Sequence, residues 1–310
     1  MRVAAVDCGT NSVRLLIADV DPATGNQIDL DRRLRIARLG EGVDRTGALA
    51  PNAIARALAV LDDYAAACSE HQVARIRVAA TSAARDAGDI SAFVEGVQRR
   101  LGVPPEVLSG AEEARLTATG ALRRLPDSLP VPALVVDIGG GSTEVVTAAR
   151  DHRRVKVLEG RSLDVGSVRL TERHLVSDPS TGHEGAAAAA DVDAALEDAG
   201  VDWATVSSVV GVAGTVTAVA AHVLGLAVYD ENRVHGAVLS RDDVLDSCRW
   251  FAAASVAQRG QFPWLPPGRA DVMGGGVLIL DRVLHRVPAV ATMVASEYDI
   301  LDGLAWSLVE

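Results

Sequence analysis

Two segments of this chain share one pattern, and that repetition limits what it can fold into more than any other feature. VAAVDCGTNSVRLLIADV begins at residue 3 and LVVDIGGGSTEVVTAAR at residue 134. Each is an apolar run ending in Asp, then a turn of small residues that includes Ser, then a second apolar run. Aligning the aspartates pairs Asp7 with Asp137, Gly9 with Gly139, Ser12 with Ser142 and Arg14 with Glu144. Two short apolar runs around a Gly-containing turn read as a β-hairpin. A chain that builds the same hairpin twice is expected to build the surrounding unit twice, and 310 residues leave room for two cores of about 100 to 200 residues each.

The order of the remaining segments supports a repeat. Strands are expected at about 2–7 and 13–20, with RLRIARLG (33–40) as a third. ALAPNAIARALAVLDDYAAACSEHQV carries apolar residues at helical spacing with Asn52 as its cap, and RIRVAATSAARDAGD reads as a strand running into a polar loop. RRLPDSLPVP (123–132) has three prolines and no apolar period, as a linker would. The pattern then begins again with the hairpin at 134–149 and the segment VLEGRSLDVGSVRL. A long Ala-rich helix near 184–199, the strand–turn–helix VSSVVGVAGTVTAVAAHVL and a last helix DILDGLAWSLV complete it. The expected domains are 1–125 and 126–296, with a final helix over about 297–310 that packs back on the first.

Composition removes several functions. Hydrophobic residues at 49% and charged residues at 23% describe an ordered globule, and no apolar run reaches the roughly 18 residues a membrane span needs. The first strand starts almost at once, without the pattern of a secretory leader, which points to the cytoplasm. Cys8, Cys68 and Cys248 are odd in number and widely spaced, so neither a disulfide framework nor a zinc site is expected, and Cys8 reads as a small buried residue. A net charge of −11 argues against adhesion to nucleic acid, so an anionic ligand must be gripped locally. Lys156 is the only lysine; the other cationic side chains are arginines, whose forked guanidinium suits phosphate oxygens.

The hairpin turns have chemistry of their own. Glycine lets backbone N–H groups crowd around an anion, and a neighbouring hydroxyl adds a donor. Thr10, Asn11 and Ser12 in the first turn, and Gly139, Gly140, Gly141, Ser142 and Thr143 in the second, are therefore candidate phosphate-binding residues. Asp7, Asp137 and Glu144 are candidate ligands for Mg²⁺, which prefers oxygen and retains water. Arg85 in ATSAARDA follows a strand and can grip phosphate, or pair with Asp86 or Asp89. In LSGAEEARLT, Glu112 and Glu113 open a helical run. Acids there compensate the helix dipole, and a carboxylate among phosphates can also activate water.

The duplicated phosphate hairpin resembles that of the acetate kinase, sugar kinase, Hsp70 and actin superfamily. Within it, VDCGTNSVRLLI, RLGEGVDRTGALA, ATSAARDA, LSGAEEARLTATG, VVDIGGGSTE, SLDVGSVRLTER, VGVAGTVTAVAA, PPGRADVMGGGVLIL and SEYDILDGLAWSL together resemble the exopolyphosphatase and guanosine pentaphosphate phosphohydrolase (Ppx/GppA) family, in its short two-domain form. The resemblance implies an α/β fold of two tandem actin-like (ribonuclease H-like) domains with an active-site cleft between them. It places the catalytic glutamate at Glu113 and a nucleoside or distal-phosphate contact at Gly214 and Thr215, and leaves Arg269 of PPGRADV without a firm role. The implied activity is release of terminal orthophosphate from inorganic polyphosphate with Mg²⁺, or Mn²⁺ in its place. Guanosine pentaphosphate is the alternative substrate, and a non-hydrolytic alarmone or nucleotide sensor the alternative of another class. A kinase or ATPase shares the hairpins but is disfavoured by the shortness of the chain. No membrane or nucleic-acid partner is expected, and a homodimer is allowed for.

Overall fold

A computed structural model describes residues 1–151 and 154–310. The chain divides into two compact units, Met1–Gly120 with Ile300–Glu310, and Ala121–Asp299.

The first unit holds β1 (Arg2–Cys8), β2 (Ser12–Asp21), β3 (Asn26–Ile36), β4 (Arg75–Ala80) and β5 (Glu106–Val107) in the order β3-β2-β1-β4-β5. The first three strands are antiparallel, and β4 runs parallel to both β1 and β5. Val3 to Val6 of β1 are all fully buried, which is why this central strand reads as a continuous apolar run rather than an alternation. Ala4, Val6 and Cys8 join Leu61 and Tyr64 of the helix Pro51–Glu70 in one core. Val3 and Ala5 join Leu304 and Trp306 of the helix Ile300–Ser307 in another. Eight residues are too few for a helix stable by itself. Burial of Leu304 and Trp306, at about 1.5–3 kcal/mol each, holds this one on the sheet. Arg77 Nη1 bonds Ser307 Oγ at 2.6 Å and Arg75 Nη1 bonds the Leu308 carbonyl at 2.8 Å.

Three local expectations are corrected. The third strand ends at Ile36 rather than continuing to residue 40, because the Ala37, Arg38 and Gly40 amides turn to the carbonyls of Asn11 and Thr10. Asn52 does not cap its helix: Ala50 is the cap, Pro51 is the first helical residue, and Asn52 Oδ1 accepts from the Ala53 amide. The segment after β4 is a short helix, Ser82–Asp86, instead of a loop, since the Ala84 and Arg85 amides both reach the Thr81 carbonyl.

The second unit holds β6 (Ala133–Ile138), β7 (Thr143–Asp151), β8 (Arg154–Leu163), β9 (Ser208–Val212), β10 (Val238–Ser240) and β11 (Thr292–Ala295). Their order, β8-β7-β6-β9-β11-β10, repeats that of the first sheet with one antiparallel edge strand added. β9 lies parallel to β6 and β11 parallel to β9, as β4 and β5 do in the first unit. The Ala-rich helix runs Gly182–Glu197 and opens on a Thr181–Glu184 capping box. Both units are therefore copies of one actin-like α/β design, and among the described residues no helix is long and apolar enough to cross a membrane.

Candidate active site

The two hairpin turns close in the same way. The Gly9 amide donates to the Ser12 carbonyl at 3.0 Å, and the Gly139 amide to the Ser142 carbonyl at 3.0 Å. They diverge in the residue opposite the aspartate. Directly opposed residues of antiparallel strands share a face. Asp7 lies opposite Arg14, whose Nη2 and Nε approach Asp7 Oδ2 at 2.7 and 3.0 Å. Asp137 lies opposite Glu144, which also accepts the Ser162 hydroxyl at 2.6 Å; both acids are buried. Two buried carboxylates in register favour a cation beside them. Asp7 is held by Arg14 across its own hairpin, and the oxygen-donor pair Asp137 and Glu144 is of the type that would suit a divalent metal completed by water and phosphate oxygens. Among the described residues no group of three or more His, Cys, Asp or Glu is placed to hold a metal.

Glu112 and Glu113 open the helix Gly110–Arg123, with Ser109 Oγ accepting from the Glu112 amide. Their side chains separate completely. Glu112 pairs with Arg115 at 2.9 Å, and that bond holds its carboxyl below the usual range. Glu113 is only 6% exposed and accepts from Arg85 Nη1 at 2.7 Å, while the same Nη1 donates to the Leu108 carbonyl at 3.0 Å. Burial pushes the Glu113 carboxyl up to about 7; Arg85 pulls against this, and the negative charge of Asp7 adds to it. A carboxylate poised near neutrality suits general-base chemistry. Arg85, one of the expected phosphate ligands, is thus also the partner of Glu113.

Thr10 is buried, with no hydrogen-bond partner for Oγ1 among the described residues, as suits a hydroxyl awaiting an anion. Asn11 and Thr10 present their carbonyls to residues 37–40, and Ser12 starts β2. In the second turn the amides of Gly140 and Gly141 have no acceptor among the described residues, and Ser142 is buried beside them. Thr143 differs from expectation: fully buried, it commits its hydroxyl proton to the Val165 carbonyl at 2.7 Å and braces the loop. Gly214 and Thr215 lie in the first turn of the helix Ala213–Val223, which follows β9 without a spacer through a left-handed Ala213 (φ 66°). Arg269 packs against Gly214, where a Cβ would come within 2.6 Å of Nη2 and 2.8 Å of Nε. Cys8 is buried and its thiol is pushed up by burial and by Asp7, the opposite of a reactive thiolate.

The model of the Ppx/GppA phosphatase family matches residues 16–310. The chain belongs to the Ppx/GppA phosphatase family. It is 42% identical to exopolyphosphatase 2 of Mycobacterium tuberculosis, over 99% of this chain and 98% of that one. Among solved structures, an exopolyphosphatase-like protein at 38% identity superposes with a TM-score of 0.93, covering 99% of this chain and 98% of the other. The Aquifex aeolicus member of the Ppx/GppA family superposes with a TM-score of 0.80 at 31% identity, covering 100% and 97%.

Several residues that build this Ppx/GppA site are not evident from residue type alone. A Cβ on Gly40 would collide with Thr10, and one on Gly166 would run into the Gly140 carbonyl and come within 2.6 Å of Gly141 C. The tripeptide GGG occurs twice with different uses. At 139–141 it forms the turn; at 274–276 it lies in the helix Met273–Arg286 and admits close neighbours. A Cβ on Gly275 would sit 2.6 Å from the Ser167 carbonyl, and one on Gly276 would meet the Thr215 hydroxyl. The second set is a packing surface behind the loop and Thr215, and only the helical spacing of VLIL after it signals the difference.

Proposed function

We propose that this chain is an exopolyphosphatase that removes terminal orthophosphate from linear inorganic polyphosphate. The observation that carries this reading is the buried Glu113 in its ion pair with Arg85, its carboxyl raised to about 7. The likeness to exopolyphosphatase 2 supports it. Glu113 accepts a proton from water as the water oxygen attacks the terminal phosphorus in line; the bridging P–O bond breaks, and the shortened chain leaves with the bonding pair. Arg85, once phosphate is bound, offers charge-assisted donors to its oxygens. In the second unit the Gly139–Ser142 turn presents its amides to phosphate, and Asp137 and Glu144 would hold Mg²⁺, with Mn²⁺ as an alternative. Such a metal would supply neutralisation of phosphate charge. With a net charge of −11, the rest of the surface does not compete for long polyanions. The three buried free cysteines suit a reducing cytoplasm. Phosphate release from long and short polyphosphate, guanosine pentaphosphate and ATP tests the assignment. Release from polyphosphate is expected to dominate, and inactivity on all four would reject it.

A further inference from the structure

In the second hairpin turn every glycine carbonyl is taken. The Ser167 amide donates to the Gly139 carbonyl at 2.9 Å, and the Val168 and Arg169 amides donate to that of Gly140 at 2.8 and 3.1 Å. The Gly141 carbonyl accepts from Nε of Arg169 at 2.6 Å. These donors all belong to the first turn of the helix Ser167–His174, and the Arg169 side chain is buried. A trans peptide is planar, with its C=O and the following N–H on opposite sides. Carbonyls drawn toward the helix therefore send the N–H groups of Gly140, Gly141 and Ser142 the other way, as three adjacent donors of an anion nest. Backbone amides fix two of those peptide planes. The third, Gly141–Ser142, is fixed by a side chain.

The first hairpin shows what that side chain replaces. There the Thr10 carbonyl accepts from the Gly40 amide at 2.9 Å, and the Asn11 carbonyl accepts from the amides of Ala37 and Arg38 at 3.0 and 2.8 Å. Asn11 corresponds to Gly141 in the repeat, so backbone donors after β3 do in one unit what Arg169 does in the other. Arg169 also stands at the third position of its helix, where the dipole disfavours a cation.

We infer that Arg169 is a positioning residue: its Nε–H locks the Gly141–Ser142 peptide so that the Ser142 amide faces bound phosphate. This rests on the reading of the turn as a polyphosphate loop, and it assigns the locking of that peptide to the donor at Nε. Side-chain chemistry isolates that donor. Glutamine places an amide nitrogen the same number of bonds from Cα as Nε, methionine places a methyl group there, and lysine places a methylene there while keeping the charge.

The test is calorimetric binding of tripolyphosphate with Mg²⁺, in a Glu113→Gln background that suppresses turnover, for the parent, R169Q, R169M and R169K. R169Q is expected to bind about 3- to 10-fold more tightly than R169M and R169K, the range for one net hydrogen bond, whatever all three lose relative to the parent. The Ser142 amide resonance should shift on titration in R169Q but not in R169K. If R169M fails to fold, R169K against R169Q decides. Retained binding in R169K with loss in R169Q, or equal binding in all four, overturns the inference. The expected order of binding, with no phosphate release by the chain carrying native Glu113, rejects the hydrolase and leaves the inference standing. Failure of the parent to bind tripolyphosphate overturns both.

Discussion

Two neighbouring glutamates on one helix turn end in opposite situations, and the difference lies in what each touches. Glu112 is tied to Arg115 near the surface, while Glu113 is buried against Arg85. Glu113→Gln is therefore expected to lower turnover at least about 100-fold, the lower range for loss of a positioned general base, with polyphosphate binding retained. Glu112→Gln should change turnover little; equal losses in both would remove the assignment. The pH profile carries a sign. Glu113 acts as a base only when ionised, and its carboxyl is raised to about 7, so kcat/KM should rise with pH through about 7. Arg85 favours the ionised form, so Arg85→Met should move that limb to higher pH, whatever it does to phosphate affinity. A limb that stays in place would mean that Arg85 does not tune Glu113. Residue type and spacing leave the two glutamates equal at a helix start, and only the family resemblance singles out Glu113; their separation depends on burial and on a partner 28 residues away, which spacing does not reveal.

At the level of elements, glycines divide by what surrounds them. Gly166→Ala would drive a methyl group into the Gly140 carbonyl and should abolish tripolyphosphate binding by shifting the turn, as calorimetry on the folded variant would show. Gly185 lies within the helix Gly182–Glu197 with nothing near its would-be Cβ, so Gly185→Ala should stabilise by about 0.4–1 kcal/mol through helix propensity and unfolded-state entropy, with activity unchanged. A thermal melt reads it, and a lower Tm would contradict the open surroundings. Elements set by local pattern were legible: both hairpins, the Ala-rich helix and the last helix. Those set by distant bonds were not. The end of the third strand at Ile36 follows from amides of residues 37–40 reaching the first turn. The helix Ser82–Asp86 was missed for a different reason: its bonds are local, but five residues are too few to show an apolar period.

For the molecule as a whole, duplication sets the plan and divergence sets the chemistry. The two sheets share strand order and hairpin register, yet the residue facing the aspartate is Arg14 in one and Glu144 in the other. That exchange was visible in the sequence, but its consequence was not: Asp7 is bound by Arg14 across its hairpin, while Asp137 stands in register with a second acid. Asp137→Asn should accordingly collapse activity and be partly restored by excess Mg²⁺, whereas unchanged metal dependence would leave Asp137 as a turn residue only. The central claim, that this Ppx/GppA chain hydrolyses polyphosphate with Glu113 as its base, is tested most directly by orthophosphate release from long-chain polyphosphate with Mg²⁺, for the native chain and Glu113→Gln side by side. The account predicts steady release by the native chain and at least about a 100-fold slower rate for the variant. No release by the native chain, or equal release by both, would contradict it.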